Sequence, residues 1–188
     1  VTSVTGGGIY CAGDPVGQVC VAVTGTGSWT VNYTLDGIAN TANGNASPIC
    51  LGTAEGVYVI TGITDANCTN IANGTQTITI NPLPTVTGIT GGGTYCVGDV
   101  INQVCVDVTG SSPWTVTYQI NGGANQTAMG VTSPICLGNG AGTYTVTNIV
   151  DANCTNTANV NDEIIINPLP TVTSVTGGGI YCAGDPVG

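Results

Sequence analysis

The sequence contains no lysine, arginine, histidine or phenylalanine. Each absence excludes something. Nucleic-acid binding needs cations that displace counterions from phosphate, and attraction to anionic lipid needs them too. With ten Asp and Glu unopposed and a formal net charge of −10, no nucleic-acid partner is expected. Without histidine there is no Ser–His triad, and without lysine no Schiff base and no Lys–Asn isopeptide cross-link. Trypsin finds no site to cut. No long apolar run is present, so no membrane insertion is expected from this stretch. An initiator methionine and a signal peptide are missing too, as in any window cut from the middle of a secreted protein.

Charge is scarce in both signs, at 5% of residues. The chain is nevertheless not of the disordered type, which combines low hydrophobicity with high net charge. Val, Ile and Thr dominate, and Thr and Asn supply the polar face that Lys and Glu usually provide. A surface this weakly charged, with no positive groups to repel a neighbour, is expected to pack sideways against copies of itself.

What the chain does have is repetition. Residues 1–17 read VTSVTGGGIYCAGDPVG, and residues 172–188 read the same letter for letter. A diverged copy, VTGITGGGTYCVGD, starts at Val86. Self-similarity at a fixed period marks an array. The expected division is a first repeat over 1–85, a second over 86–171, and the truncated start of a third over 172–188. The chain reads as a window on a longer tandem array.

The nine cysteines follow the repeat. Cys11, Cys20, Cys50 and Cys68 recur as Cys96, Cys105, Cys136 and Cys154, and Cys182 opens the third unit. With no histidine and no CxxC pair, zinc is disfavoured, and disulfides in an oxidising compartment are expected.

No segment shows helical periodicity. Alternating runs bounded by Gly, Asn, Asp and Pro predict strands near 1–6, 18–25, 28–36, 47–52, 56–65 and 74–81, with a short extra strand near 38–43. The second unit repeats the main set near 86–91, 103–110, 113–121, 132–137, 142–151 and 162–167. Short strands at this spacing predict an all-β chain of tandem Ig-like antiparallel sandwiches stapled by disulfides. In the second strand Val19, Val21 and Val23 match Val104, Val106 and Val108, while Ala22 is replaced by Asp107. A position that accepts Asp faces solvent, so Cys20 and Cys105 face out with it. Cys50 and Cys136 share that orientation, which predicts the bridges Cys20–Cys50 and Cys105–Cys136. Each closes a loop that contributes roughly 3–4 kcal/mol in the chain-entropy treatment.

Cys11 and Cys68 fall in turns at opposite ends of such a sandwich. Either the first strand is short and Cys11 reaches Cys68 within the unit, or the bond runs between units, for example Cys11 to Cys154, or between chains. The same choice holds for Cys96 and Cys182.

GGGTYCVGD, PWTVTY, GTYTVTNIVDANC and the NPLPT linker at 81–85 and 167–171 resemble the PKD/Ig-like repeats of giant secreted surface proteins and adhesins of the Bacteroidota type. The resemblance implies secretion, surface display and a stalk or adhesive role, with no catalytic residues.

Candidate small-ligand sites are few. Adjacent acids occur only at Asp162 and Glu163, in one copy, so no carboxylate pair for glycoside hydrolysis is expected and the chain is not read as an enzyme. Asp65 and Asp151, each in a DANCTN loop, are candidate calcium ligands. One Asp per loop is thin for an ion that takes six to eight oxygens, and Asx-turns are the alternative. No other cofactor is expected. Trp29 and Trp114 read as core packing or as a glycan-stacking platform. N-x-S/T sequons occur at Asn32, Asn45, Asn67, Asn73, Asn125 and Asn153. The expected function is structural: a segment of an extracellular bacterial filament that self-associates through neighbouring repeats or chains, or alternatively the stalk of a cell-surface adhesin. Strand exchange by residues 172–178 is a second route to assembly.

Overall fold

A computed structural model describes residues 1–186. It is all-β: sixteen strands and, among the described residues, no helix. In the first unit these are β1 (Ser3–Thr5), β2 (Gly8–Cys11), β3 (Val19–Ala22), β4 (Trp29–Leu35), β5 (Ile38–Gly44), β6 (Ile49–Gly52), β7 (Gly56–Thr64) and β8 (Thr69–Asn81). The second unit repeats the order with β9 (Thr85–Thr90), β10 (Gly93–Cys96), β11 (Val104–Thr109), β12 (Trp114–Ile120), β13 (Gln126–Gly130), β14 (Ile135–Gly138), β15 (Gly142–Val150) and β16 (Thr155–Asn167).

Each unit folds into a sandwich of a three-stranded and a five-stranded sheet. The orders are β1-β3-β6 against β2-β8-β7-β4-β5, then β9-β11-β14 against β10-β16-β15-β12-β13. The alternation explains the core. Val19, Val21 and Val31 of the first unit, and Val104, Val106 and Val116 of the second, are fully buried between the sheets. Tyr58 and Tyr144 fill the largest buried volumes. Their rings stack on Tyr33 and Tyr118 at 5.9 and 6.1 Å between centroids. Each donates its hydroxyl to a backbone carbonyl four residues upstream, Ala54 at 3.0 Å and Gly140 at 3.1 Å, a tyrosine corner.

The opening strand departs from the sequence expectation. It is not one strand over 1–6 but two, which belong to different sheets. β1 pairs antiparallel with β3, and after the glycine run β2 pairs parallel with β8. Gly6, Gly7 and Gly8 all have positive φ, at 88°, 78° and 139°. That backbone suits glycine and penalises any residue with a Cβ. At Gly6 the added carbon would also collide with the carbonyl of Gln18. Gly91 repeats the arrangement before β10, with φ 108° and Gln103 as the obstacle. The glycine run is thus the hinge that carries the chain from one sheet to the other. β8 and β16 are also longer at their starts than the alternation indicated, and β13 is a strand in the second unit that the sequence reading did not mark.

Residues 172–186 carry no strand and are exposed throughout. The last two residues of the expected third-unit start, Val187 and Gly188, lie outside the described residues.

Candidate functional site

The feature that joins chemistry to architecture is the junction between the two sandwiches. The parallel pairing of β2 with β8 sets Cys11 opposite Asn81, the last residue before the Pro82–Pro84 linker. Ala12 N–H donates to the Asn81 carbonyl at 2.8 Å. The GD turn then locks the cysteine. Cys11 N–H donates to Asp14 Oδ2 at 3.2 Å, and Asp14 N–H donates to the Cys11 carbonyl at 3.0 Å. Cys11 is therefore held where the chain leaves the first sandwich.

The other half comes from the loop between β15 and β16. Asp151 is buried, and its carboxylate organises that loop. Oδ1 accepts N–H groups of Asn153 and Cys154 at 2.8 and 2.7 Å, and Oδ2 accepts Ser111 N–H at 2.8 Å. Burial pushes the Asp151 pKa up, but the three N–H donors of Ser111, Cys154 and Asn153 outweigh it, and the net direction is down. Asp65 does the same in the first unit. Its N–H donors are Asn67, Cys68 and Thr26, and they lower its pKa against a smaller opposing effect of burial.

These two halves meet. Cys11 and Cys154 form a disulfide with Cα atoms 5.8 Å apart, across 143 residues of sequence. Around it, Asn156 Nδ2 donates to the Pro84 carbonyl at 2.9 Å, and Pro84 is buried. An intra-unit Cys11–Cys68 bond does not occur. The sheet switch carries Cys11 to the linker end of its sandwich, while the Cys68 loop occupies the opposite end. Cys68, Cys96 and Cys182 are free and exposed. Two further disulfides lie within the units on outer faces, Cys20–Cys50 and Cys105–Cys136. Each joins residues directly opposite on adjacent antiparallel strands.

As calcium ligands, Asp65 and Asp151 fare poorly. Both carboxylate oxygens of each face backbone N–H groups, whose positive ends repel a cation. Among the described residues no three His, Cys, Asp or Glu side chains gather. Trp29 and Trp114 pack against the two cores, and their indole nitrogens are buried without a hydrogen-bond partner among the described residues. What sequence reasoning missed was the parallel β2–β8 pairing, which decides the partner of Cys11. The only signal for it was the glycine run.

The family described as nucleoporin Pom152-like, ninth immunoglobulin-like domain, matches residues 84–164, the second sandwich. No curated protein sequence matches the chain. Among solved structures the chain is similar to the insect immune protein hemolin at 16% identity and a TM-score of 0.46, covering 89% of this chain and 46% of that one. It is similar to a Ca2+-stabilized adhesin with which an Antarctic bacterium binds ice, at 18% identity and a TM-score of 0.36, covering 90% and 51%. Extracellular domains 3–5 of Drosophila OTK align at 13% identity and a TM-score of 0.33, covering 89% and 64%. The chain spans less than two thirds of each of these structures. The class that the sheets, tyrosine corners and family match define is an immunoglobulin-like β-sandwich protein, stapled by disulfides.

Proposed function

We propose that this chain is a segment of an extracellular bacterial filament, a structural array of Ig-like repeats divided at 1–85, 86–171 and 172–188, with no catalytic role. The observation that carries this reading is the Cys11–Cys154 cystine beside the buried Pro84. Sandwiches joined by a short linker alone behave as beads that swing about it. A covalent bond on top of the linker removes that freedom and makes a braced rod. Length and stiffness, rather than a pocket, are what such a unit supplies. The disulfides fit an oxidising, extracellular setting. The scarcity of charge and the absence of cations favour self-association along the rod's sides, because neighbouring copies meet few desolvated charges.

The test is cryo-electron microscopy of native, unreduced material. Helically ordered fibres with laterally contacting strands are expected. Flexible single-file beads that end in a different head would overturn the filament reading and make the chain an adhesin stalk.

A further inference from the structure

The observed junction has two halves, and each unit carries both. We propose that Cys11–Cys154 is one step of a head-to-tail staple that runs along the array. In it Cys96 bonds to the cysteine of the Cys68-type loop in the unit that follows. Cys68 bonds to the Cys11-type cysteine of the unit that precedes. The proposal rests on the reading of the chain as part of a tandem array, and it names the partner of each open cysteine as a second copy of this unit.

The loop half at Cys68 already has the bonded form. Asp65 Oδ1 accepts Asn67 and Cys68 N–H groups at 2.9 and 2.8 Å, and Asp65 N–H donates to the Cys68 carbonyl at 2.9 Å. The bonded loop shows the same bonds, with Asp151 N–H donating to the Cys154 carbonyl at 2.9 Å. The strand half at Cys96 is likewise ready. β10 pairs parallel with β16 and sets Cys96 opposite Asn167, as Cys11 is set opposite Asn81. Cys96 N–H donates to Asp99 Oδ2 at 2.7 Å, and Val97 N–H donates to the Asn167 carbonyl at 3.0 Å.

The closed junction shows what a folded unit after the linker covers. The linker NPLPT is identical at both junctions, but only the first is covered. There Pro84 is buried and Leu83 half-buried, whereas at the second Leu169 is 57% exposed and Pro170 is exposed. Cys154, in the closed junction, is 3% exposed, while Cys68 and Cys96 are exposed. The two open halves are complementary but not identical, and they lie at opposite ends of the pair. Such a heterologous contact does not close on itself and propagates as an open chain. Cys182 continues the pattern. Its N–H donates to Asp185 Oδ2 at 2.9 Å, forming the same turn one unit further on.

Each staple forms by oxidation. Two S–H bonds break and one S–S bond forms. Two electrons and, by way of solvent, the two protons go to a protein or small-molecule disulfide oxidant, whose S–S bond breaks to give a dithiol.

The test uses the chain extended in register. Residues 172–188 equal residues 1–17, so the block 1–171 followed by the whole chain is a seamless longer array. It is secreted into an oxidising compartment, alkylated with iodoacetamide without reduction, cleaved with pepsin and mapped by mass spectrometry. The expected map joins Cys96 of the first copy to Cys68 of the second and keeps Cys11–Cys154 in both. Alkylation is then confined to the first copy's Cys68, the second copy's Cys96 and Cys182. Cys96→Ser in the first copy should move the second copy's Cys68 to full alkylation and leave the other bonds in place. Complete alkylation of Cys96 in the unsubstituted array, with no Cys96–Cys68 cross-linked peptide, or the first copy's Cys96 bonded elsewhere, overturns the staple. Ordered fibres without the staple would sink only this proposal. A stapled array that never assembles would sink only the filament reading.

Discussion

At the scale of the residue, Asp151 does the most for its size. Its carboxylate accepts three backbone N–H groups from two loops while buried. Asp151→Asn keeps one carbonyl acceptor but turns an NH2 group toward at least one of those donors. Leaving a buried donor unsatisfied costs about 1–3 kcal/mol, so the urea midpoint of the second sandwich should fall accordingly. Asp65→Asn should cost less, because its loop is open to water. The pH dependence follows from the direction of the shift. The folded-state pKa of Asp151 is depressed, so its contribution is fully present above the unfolded value of about 3.9 and is lost as pH falls through the folded value. Stability should thus be flat near neutrality and drop in the acid range, and the gap between the native chain and Asp151→Asn should close there. A gap that stays constant down to pH 2 would refute this account. The DANCTN repeat made the loop visible in the sequence. The third donor was not visible, because Ser111 lies 40 residues upstream and only the fold brings it to Asp151.

At the scale of the element, the glycine runs decide the topology. Gly91→Ala places a Cβ on backbone with φ 108° and against the Gln103 carbonyl. Strain of this kind costs of order 1–3 kcal/mol. The expected result is a destabilised second sandwich in which β10 detaches from β16, seen as faster amide exchange at Val97, whose N–H donates to the Asn167 carbonyl. Gly98→Ala is the control. Its φ is 100° but no atom lies within 4 Å of the added carbon, so it should leave the exchange of β10 unchanged. Equal effects from the two would show that torsional strain alone, not the blocked sheet switch, is at work. Most strands were legible because Val and Ile alternate with Thr and Asn along them. β2 was not, since four residues offer no periodicity, Ile9 is 76% exposed, and its parallel partner lies some seventy residues away. The start of β8 was hidden for a related reason. Ile71 points outward at 81% exposure while the small Ala72 is buried, the reverse of the pattern that identifies a strand.

At the scale of the whole molecule, the question is how much of the junction's stiffness the cystine supplies. Beside it the junction carries the buried Pro84 and the Asn156–Pro84 hydrogen bond, and relative motion is the default for domains in a chain unless their interface is large and hydrophobic. Cys11→Ser combined with Cys154→Ser removes the bond without adding to the free thiols Cys68, Cys96 and Cys182. Both sandwiches should stay folded, because Cys20–Cys50 and Cys105–Cys136 close loops inside their own units. Circular dichroism should therefore be unchanged. Small-angle X-ray scattering should change. The native pair is expected to scatter as one extended body, and the double variant as an ensemble with a wider spread of maximum dimensions. The repeat made the spacing of the units legible in the sequence but left this coupling open. The bond depends on where β2 ends in space, which a glycine-run sheet switch decides and no local pattern records. If the scattering of the double variant matches that of the native chain, the stiffness belongs to the prolines and the buried linker. The cystine would then guard the junction against rupture rather than against bending.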